Sequence, residues 1–368
     1  MDIGARLKVA RDAIGYTLEK AAKESGIGVS SMSEFENSKR EPKFSQLSKL
    51  AEVYRKSIEF FLSDKVFPSE CMLWRRNPET EEKKRATEAQ FRQLCQQYRQ
   101  LEVLMNEVKE AELPYGKGRA ENLGFLQVEQ LAEKARNEFQ LGDIPSASLK
   151  QTLEEKYYIK IFHLSFAGGA ISTFSEEFGP AILLNKESKL WVRNYDLAHE
   201  LFHLLTWHIF KRNDLQHAEP STLEEQLANA FASKLLLPTD AVKGRIEATM
   251  ANDRQIRTEA LDEIAREFGV SLEALMWRLV SLYGKQPADI EKWIEQTKNT
   301  PSSRVPRTSD VPDELPERYC SLAIRALRDG RLSLIQFAKY IGISYKKSQE
   351  YLTTDKDFTD EEISIPVA

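Results

Sequence analysis

The chain has 368 residues, 41% hydrophobic and 30% charged, with a formal net charge of -5 and only five histidines. That length allows two or three domains with cores of their own, and the acidic balance excludes a polyanion-binding surface over the whole protein, so any nucleic-acid contact must be local. Cys71, Cys95 and Cys320 are odd in number and far apart, which excludes a cysteine-based zinc site, and with no signal peptide and no apolar run of about 18 residues the expectation is a cytoplasmic protein without membrane contact.

Residues 1–66 carry dense helical periodicity. Leu7, Ala10 and Ile14 mark a first helix, and Thr17 is a candidate N-cap for a second that runs through Lys23. Gly26 makes the turn into a third helix bearing Met32, Phe35 and Glu36. Helix, glycine turn, helix is the geometry that lets one helix enter a major groove. The ungapped spacing of Thr17, Ala22, Gly26, Met32, Ser33 and Glu36 resembles the λ-repressor-like (XRE-type) helix-turn-helix family, and it implies a five-helix bundle. Ser30, Ser31, Ser33 and Asn37 can hydrogen-bond to DNA, and Lys39 and Arg40 can contact phosphate. Leu18, Gly28, Val29 and Glu34 depart from the family at groove-facing positions, because Leu18 cannot make the bidentate adenine contact of a glutamine. Weak or selective DNA binding is expected, with a grip on a protein partner as the alternative.

Residues 67–115 are read as a connector followed by a long helix. From Phe67 to Asn77 the pattern breaks, and Pro68, Pro78 and Arg75-Arg76 suggest a connector with a short strand. Beyond Pro78, the residues Phe91, Leu94, Tyr98, Leu101, Met105 and Val108 step alternately by three and four, the seam of a coiled coil, over a helix of about 30 residues to Glu110. Such a helix can form a homodimer or lie across the rest of the chain. Amphipathic helices are expected at Phe125 to Phe139 and Pro145 to Glu155. Strands are expected at Tyr157 to His163, Ile171 to Phe174 and Ala181 to Asn185. An edge of that small sheet can hold an extended peptide by main-chain hydrogen bonds. Arg193, next in the chain, can contact substrate or pin the sheet.

Asp196-Leu197-Ala198-His199-Glu200-Leu201-Phe202-His203-Leu204-Leu205 sets His-Glu-x-x-His inside an apolar helical pattern. Imidazoles four residues apart on a helix lie on one face and can share a metal ion, and Glu200 can deprotonate a water at the open position. A carboxylate from a following helix is the usual third ligand; the helical period of Leu223, Leu227, Ala230 and Phe231 favours Glu225 over Glu224, with Asn229 one turn beyond Glu225 on the same stripe. His208 is a further candidate near the site. The two motifs, His199 to His203 and Glu225 to Leu235-Leu236-Leu237-Pro238, resemble the ImmA/IrrE family of zinc metallopeptidases over about residues 70 to 285. The resemblance implies zinc on His199, His203 and Glu225, with Glu200 as general base and a transcriptional repressor as substrate. Two histidines and one carboxylate also suit Mn²⁺.

Residues 241–285 are read as helical, with a helix-turn-helix look of their own around Gly269 and a structural role. Residues 298–316 form a Pro/Ser-rich linker, and 317–368 a small helical module with an acidic tail and no function assigned. The expected fold is mainly α with a small β-sheet (α+β): a helix-turn-helix bundle over 1–66, a zincin-like metallopeptidase domain over 116–297, and the C-terminal helical module. The expected function is a zinc endopeptidase fused to a repressor-like DNA-binding domain, which cleaves a repressor or antitoxin-like protein in a stress, mobile-element or phage-defence setting. The alternative is a DNA-binding regulator or antitoxin whose peptidase-like domain senses a signal.

Overall fold

A computed structural model describes residues 3–54, 56, 58–62, 71–78, 80–114, 116, 119–210, 220–249, 258–284 and 312–353. Five helices open the chain: α1 (Ile3–Ala13), α2 (Leu18–Ser25), α3 (Val29–Glu36), α4 (Phe44–Val53) and α5 (Ile58–Leu62). Thr17 accepts a hydrogen bond from the Lys20 N–H at the start of α2, and Gly26 ends that helix in the left-handed region at φ 66. Only glycine enters that region without steric cost, which is why the turn falls there. The bundle closes on Leu7, Ala10, Ala21, Met32, Phe35 and Leu50, all buried.

Four strands form one sheet in the order β1-β3-β4-β2: β1 (Met72–Arg75), β2 (Lys160–Leu164), β3 (Ala170–Ser175) and β4 (Gly179–Asn185). β3 pairs antiparallel with both β1 and β4, and β2 pairs parallel with β4. Successive side chains of a strand point to opposite faces, so each strand feeds two cores. Leu73, Ile161, Ala170, Ile182 and Leu184 face one, and Trp74, Phe162, Ile171 and Leu183 the other. The first core holds α7 (Phe125–Glu138), α8 (Leu149–Glu155), α9 (Leu190–Leu205) and α10 (Thr222–Leu236). Also in it are α11 (Thr239–Thr249), α12 (Thr258–Glu267) and α13 (Leu272–Tyr283). The mainly helical fold with one small sheet is as the periodicity predicts.

The second core contains the long helix, α6 (Glu81–Leu104), and the C-terminal helices α14 (Glu317–Arg328), α15 (Leu334–Ile341) and α16 (Tyr345–Thr353). Here the structure corrects the predicted length. α6 stops at Leu104, because Asn106 takes a left-handed φ of 55 and the Glu107 N–H returns to the Glu102 carbonyl. Its seam residues Phe91, Tyr98 and Leu101 are buried within the chain, with Tyr98 edge-on to Phe162 and to Tyr319 of α14. Of the two roles offered for this helix, the structure has it lying across the sheet. Residues 67–70 of the connector, 298–311 of the linker and 354–368 of the tail lie outside the described residues.

One carboxylate fastens this layer. Glu102 of α6 is fully buried and receives the Lys160 ammonium at 3.1 Å, the Arg318 guanidinium at 2.6 Å and the Arg99 guanidinium at 3.3 Å. Helix, sheet and C-terminal helices thus share one counter-charge. Removing a single partner from such a cluster leaves buried charges without compensation, which costs roughly 3–5 kcal/mol. Glu102→Ala is expected to lower unfolding stability by about that amount in a urea titration and to expose α14–α16 to limited proteolysis.

Candidate metal centre

α9 is buried along most of its length, and its apolar residues fix its rotation against the sheet. Leu197, Ala198, Leu201, Leu204 and Leu205 fill the core, which leaves His199 and His203 stacked one turn apart on the side facing α10. α10 begins at Ser221, whose hydroxyl accepts from the Glu224 N–H, and the cap sets the phase of the residues that follow. Glu225 therefore meets both imidazoles. Its Oε2 lies 3.3 Å from His199 Nε2, its Oε1 3.3 Å from His203 Nε2, and the two Nε2 atoms are 3.2 Å apart.

Those separations carry a chemical meaning. Ligand atoms at about 2.0–2.2 Å from a tetrahedral zinc are spaced about 3.3 Å from one another, which is the spacing seen here. Glu225 Oε1 is buried and turned to His203 Nε2. A carboxylate turned to two imidazole nitrogens, one oxygen to each, fits a divalent cation. Among the described residues His199, His203 and Glu225 are the group able to hold one.

The outer nitrogens of both rings are held. His203 Nδ1 lies 3.1 Å from the buried Glu224 Oε1, the carboxylate–histidine pairing that leaves Nε2 free to coordinate. His199 Nδ1 lies 3.1 Å from Asn229 Oδ1, which also accepts from Arg75 NH1 at 3.0 Å. Because a guanidinium only donates, the Asn229 oxygen must face that corner. In the tautomer that binds a cation through Nε2, the same oxygen accepts from His199 Nδ1–H. Arg75, which also contacts His199 Nδ1, is fixed by Asp196 Oδ1 at 2.7 Å, and Tyr195 donates to the Asn229 carbonyl at 2.9 Å.

Glu200 is fully buried. Its Oε2 accepts from the Ser172 hydroxyl of β3 at 2.6 Å, whereas Oε1 has no hydrogen-bond partner among the described residues. Burial pushes the Glu200 carboxyl up to about 7, against the opposing pull of His203 and the Ser172 bond. Burial likewise pushes His199 down to about 4. In His203 burial is outweighed by the bonds to Glu224 and Glu225, which push it up to about 9. Against burial, the two imidazoles hold the Glu225 carboxyl well below the usual range.

The remaining predicted residues lie elsewhere. Arg193 is buried, and its NH1 donates to the Lys186 carbonyl at 3.3 Å and to the Ser188 carbonyl, pinning the loop between β4 and α9. His208 is exposed, with its ring against Phe174, and is not in the metal-ligating group. Ser30, Asn37, Lys39 and Arg40 are exposed on and beyond α3, and Ser31 and Ser33 half-buried. Asn37 donates to the Ser33 carbonyl, and Arg40 pairs with Glu34 at 3.4 Å, which offsets the acidic charge there. Sequence reasoning missed Arg75, Ser172 and the separate duty of Glu224. For Arg75 a signal existed: it alternates with Leu73, so a strand through 72–75 turns both toward α9.

Residues 154–280 match the family described as IrrE N-terminal-like domain (peptidase M78), and residues 7–61 match a helix-turn-helix family. Over 62 residues the chain is 39% identical to the HTH-type transcriptional regulator ImmR of Bacillus subtilis, covering 17% of this chain and 49% of that protein. The chain thus spans about half the length of this curated relative. A solved structure of a Mycobacterium tuberculosis transcriptional regulator is similar at 14% identity over 53% of each chain, with a TM-score of 0.32. Separate parts of the chain are thus similar to a helix-turn-helix domain, over residues 7–61, and to an IrrE-like peptidase M78 domain, over residues 154–280.

The two neighbouring glutamates separate by experiment. Glu224→Gln, which weakens the support of His203, is expected to reduce zinc affinity about 10–100-fold in a chelator-competition titration. Glu225→Gln is expected to reduce it further.

Proposed function

We propose that the chain is a zinc-dependent endopeptidase that cleaves a transcriptional repressor or antitoxin-like protein, coupled to a DNA-binding helix-turn-helix domain. The observation that supports this most is the meeting of Glu225 with His199 and His203 at zinc-ligand spacing, beside a Glu200 oxygen with no partner of its own among the described residues. His199 Nε2, His203 Nε2 and Glu225 would hold the ion. Zinc bound there supplies Lewis acidity, polarising a scissile carbonyl and lowering the pKa of a water from 15.7 towards about 7.

The chain's own residues do the rest. Ser172 holds Glu200 Oε2, so Oε1 is the oxygen left to take a proton from the attacking water. A buried carboxyl raised to about 7 is a competent shuttle near neutral pH: it accepts that proton and delivers it to the leaving amine. Glu224 and the Arg75–Asn229 pair hold the rings so that both Nε2 lone pairs point inward. β1 is the outer strand of the sheet on the side that reaches His199, and an extended substrate segment laid along it brings its carbonyl toward the site. The relation of the amino-terminal bundle to the regulator ImmR, and its exposed Lys39 and Arg40, support DNA binding by the same chain.

The test is incubation of the zinc-loaded chain with purified helix-turn-helix repressors of the same organism, with fragments mapped by mass. The wild type is expected to cleave. Glu200→Gln should keep its zinc and cleave about 10²–10⁴-fold more slowly, and His203→Ala should lose both metal and cleavage. A repressor left intact by the zinc-loaded wild type, while the chain still shifts promoter DNA, would replace this reading with that of a non-proteolytic regulator.

A further inference from the structure

The turn between α2 and α3 recurs, without a gap, between α15 and α16. Thr17 and Ser333 are the caps, accepting from Lys20 N and Gln336 N respectively. Five residues after each cap stands an alanine, Ala22 or Ala338, and nine after it a glycine in the left-handed region, Gly26 at φ 66, ψ 24 and Gly342 at φ 75, ψ 25. The next residue is isoleucine in both, and its N–H returns to that alanine's carbonyl: Ile27 at 3.2 Å and Ile343 at 3.0 Å. The second helix then starts three residues past the glycine in each case, at Val29 and at Tyr345. α14–α16 therefore contain a second helix-turn-helix of the same build as the first.

Such a turn is not by itself a reader of DNA, and this protein supplies the contrast. α12 and α13 repeat it around Gly269, with Val270 N–H returning to the Ala265 carbonyl at 2.9 Å and Ser271 capping α13. There the second helix buries Leu275, Met276 and Arg278 in the peptidase-like core, and its first turn carries the acidic Glu273 and no Lys or Arg, which does not suit a polyanion. α16 packs against α14 and α15 and leaves its first turn in solvent. Tyr345 is 53% exposed, Lys346 and Gln349 are exposed beside it, and Lys347 is half-buried.

The side chains on that turn also differ from those of α3 in the direction that favours a polyanion. Where α3 carries Ser30, Ser31, Ser33 and Glu34, the matching positions of α16 are Lys346, Lys347, Gln349 and Glu350, so two neutral positions become basic and the acidic one is kept. Residues 317–353 hold seven Lys and Arg against three Asp and Glu, in a chain whose net charge is -5. Arg318, Arg325, Arg331 and Lys339 dock onto α6, the residues just after it and α4, and Lys346 is exposed at the head of α16 beside the half-buried Lys347.

We infer that α14–α16 form a second duplex-DNA-binding unit, with α16 as the helix that enters the major groove. The amino-terminal residues of a groove-entering helix are the ones that meet base edges. Gln349 is of the type that reads adenine bidentately, and Lys346 and Lys347 reach phosphate. This inference does not depend on the peptidase reading, because none of these residues belongs to the metal centre.

The experiment uses the full chain with Lys39→Gln and Arg40→Gln, which weaken the amino-terminal unit, and a fluorescein-labelled duplex followed by anisotropy at several salt concentrations. This protein is expected still to bind, with log Kd depending linearly on log salt. Adding Lys346→Gln and Lys347→Gln should flatten that dependence by about 0.9 for each phosphate no longer neutralised, and weaken binding about tenfold near 0.1 M salt. Circular dichroism should show unchanged helix content. Two results overturn the inference: no duplex binding by the Lys39→Gln/Arg40→Gln protein, or the same affinity and salt dependence with Lys346 and Lys347 replaced. If the double replacement disturbs folding, Lys346→Gln alone, at an exposed position, gives the same decision with half the change in slope.

Discussion

The constraint on which the rest of the structure depends is a carboxylate set against two imidazoles inside a water-poor wall. Taking a carboxylate out of water is costly unless it is paired, and Glu225 is only partly exposed. Burial pushes one of its two imidazole partners, His199, down to about 4, so a divalent ion between them supplies the charge that this ring withholds. The rigid helices α9 and α10 supply the geometry, and the apolar side chains behind them hold it at the spacing a small divalent ion requires. Stability and chemistry are linked here, because the residues that create the electrostatic problem are those that an ion would satisfy.

Around that centre the supporting contacts come from distant parts of the chain. Arg75 from the outer strand fixes Asn229, Ser172 from the middle of the sheet fixes Glu200, and Glu224 fixes His203. The sheet in turn is backed by α6 and the C-terminal helices, which Glu102 fastens through Lys160 and Arg318. The amino-terminal bundle touches the same long helix, with Arg85 donating to the Asp12 carbonyl and Lys20 paired with Glu82. α6 is therefore a shared spine for both helix-turn-helix units and for the rear of the metal centre.

What is legible in the sequence is what is local. Two histidines four apart report one helix face, and the phase of Leu227 and Phe231 is enough to turn Glu225 rather than Glu224 toward both imidazoles. The helix-turn-helix spacing of Thr17, Ala22 and Gly26 is local in the same sense. Arg75 and His199 lie 124 positions apart, and only the pairing of β1 with β3 brings them together. Met105 and Val108 continue the seam of α6 and so overstate its length, whereas the backbone at Asn106 turns left-handed and ends it. The second helix-turn-helix is hidden for a chemical reason: Phe337 and Ile341 stand where the first has Ala21 and Ser25, so the apolar pattern masks a shared turn.

The central claim is that two nitrogens and a carboxylate hold a metal ion. It is tested most directly by X-ray absorption at the zinc edge on the purified chain. The account predicts a first shell of nitrogen and oxygen at about 2.0–2.2 Å, without sulfur, that loses an oxygen scatterer in Glu225→Gln. A shell containing sulfur at about 2.3 Å, or one that Glu225→Gln leaves unchanged, would contradict it.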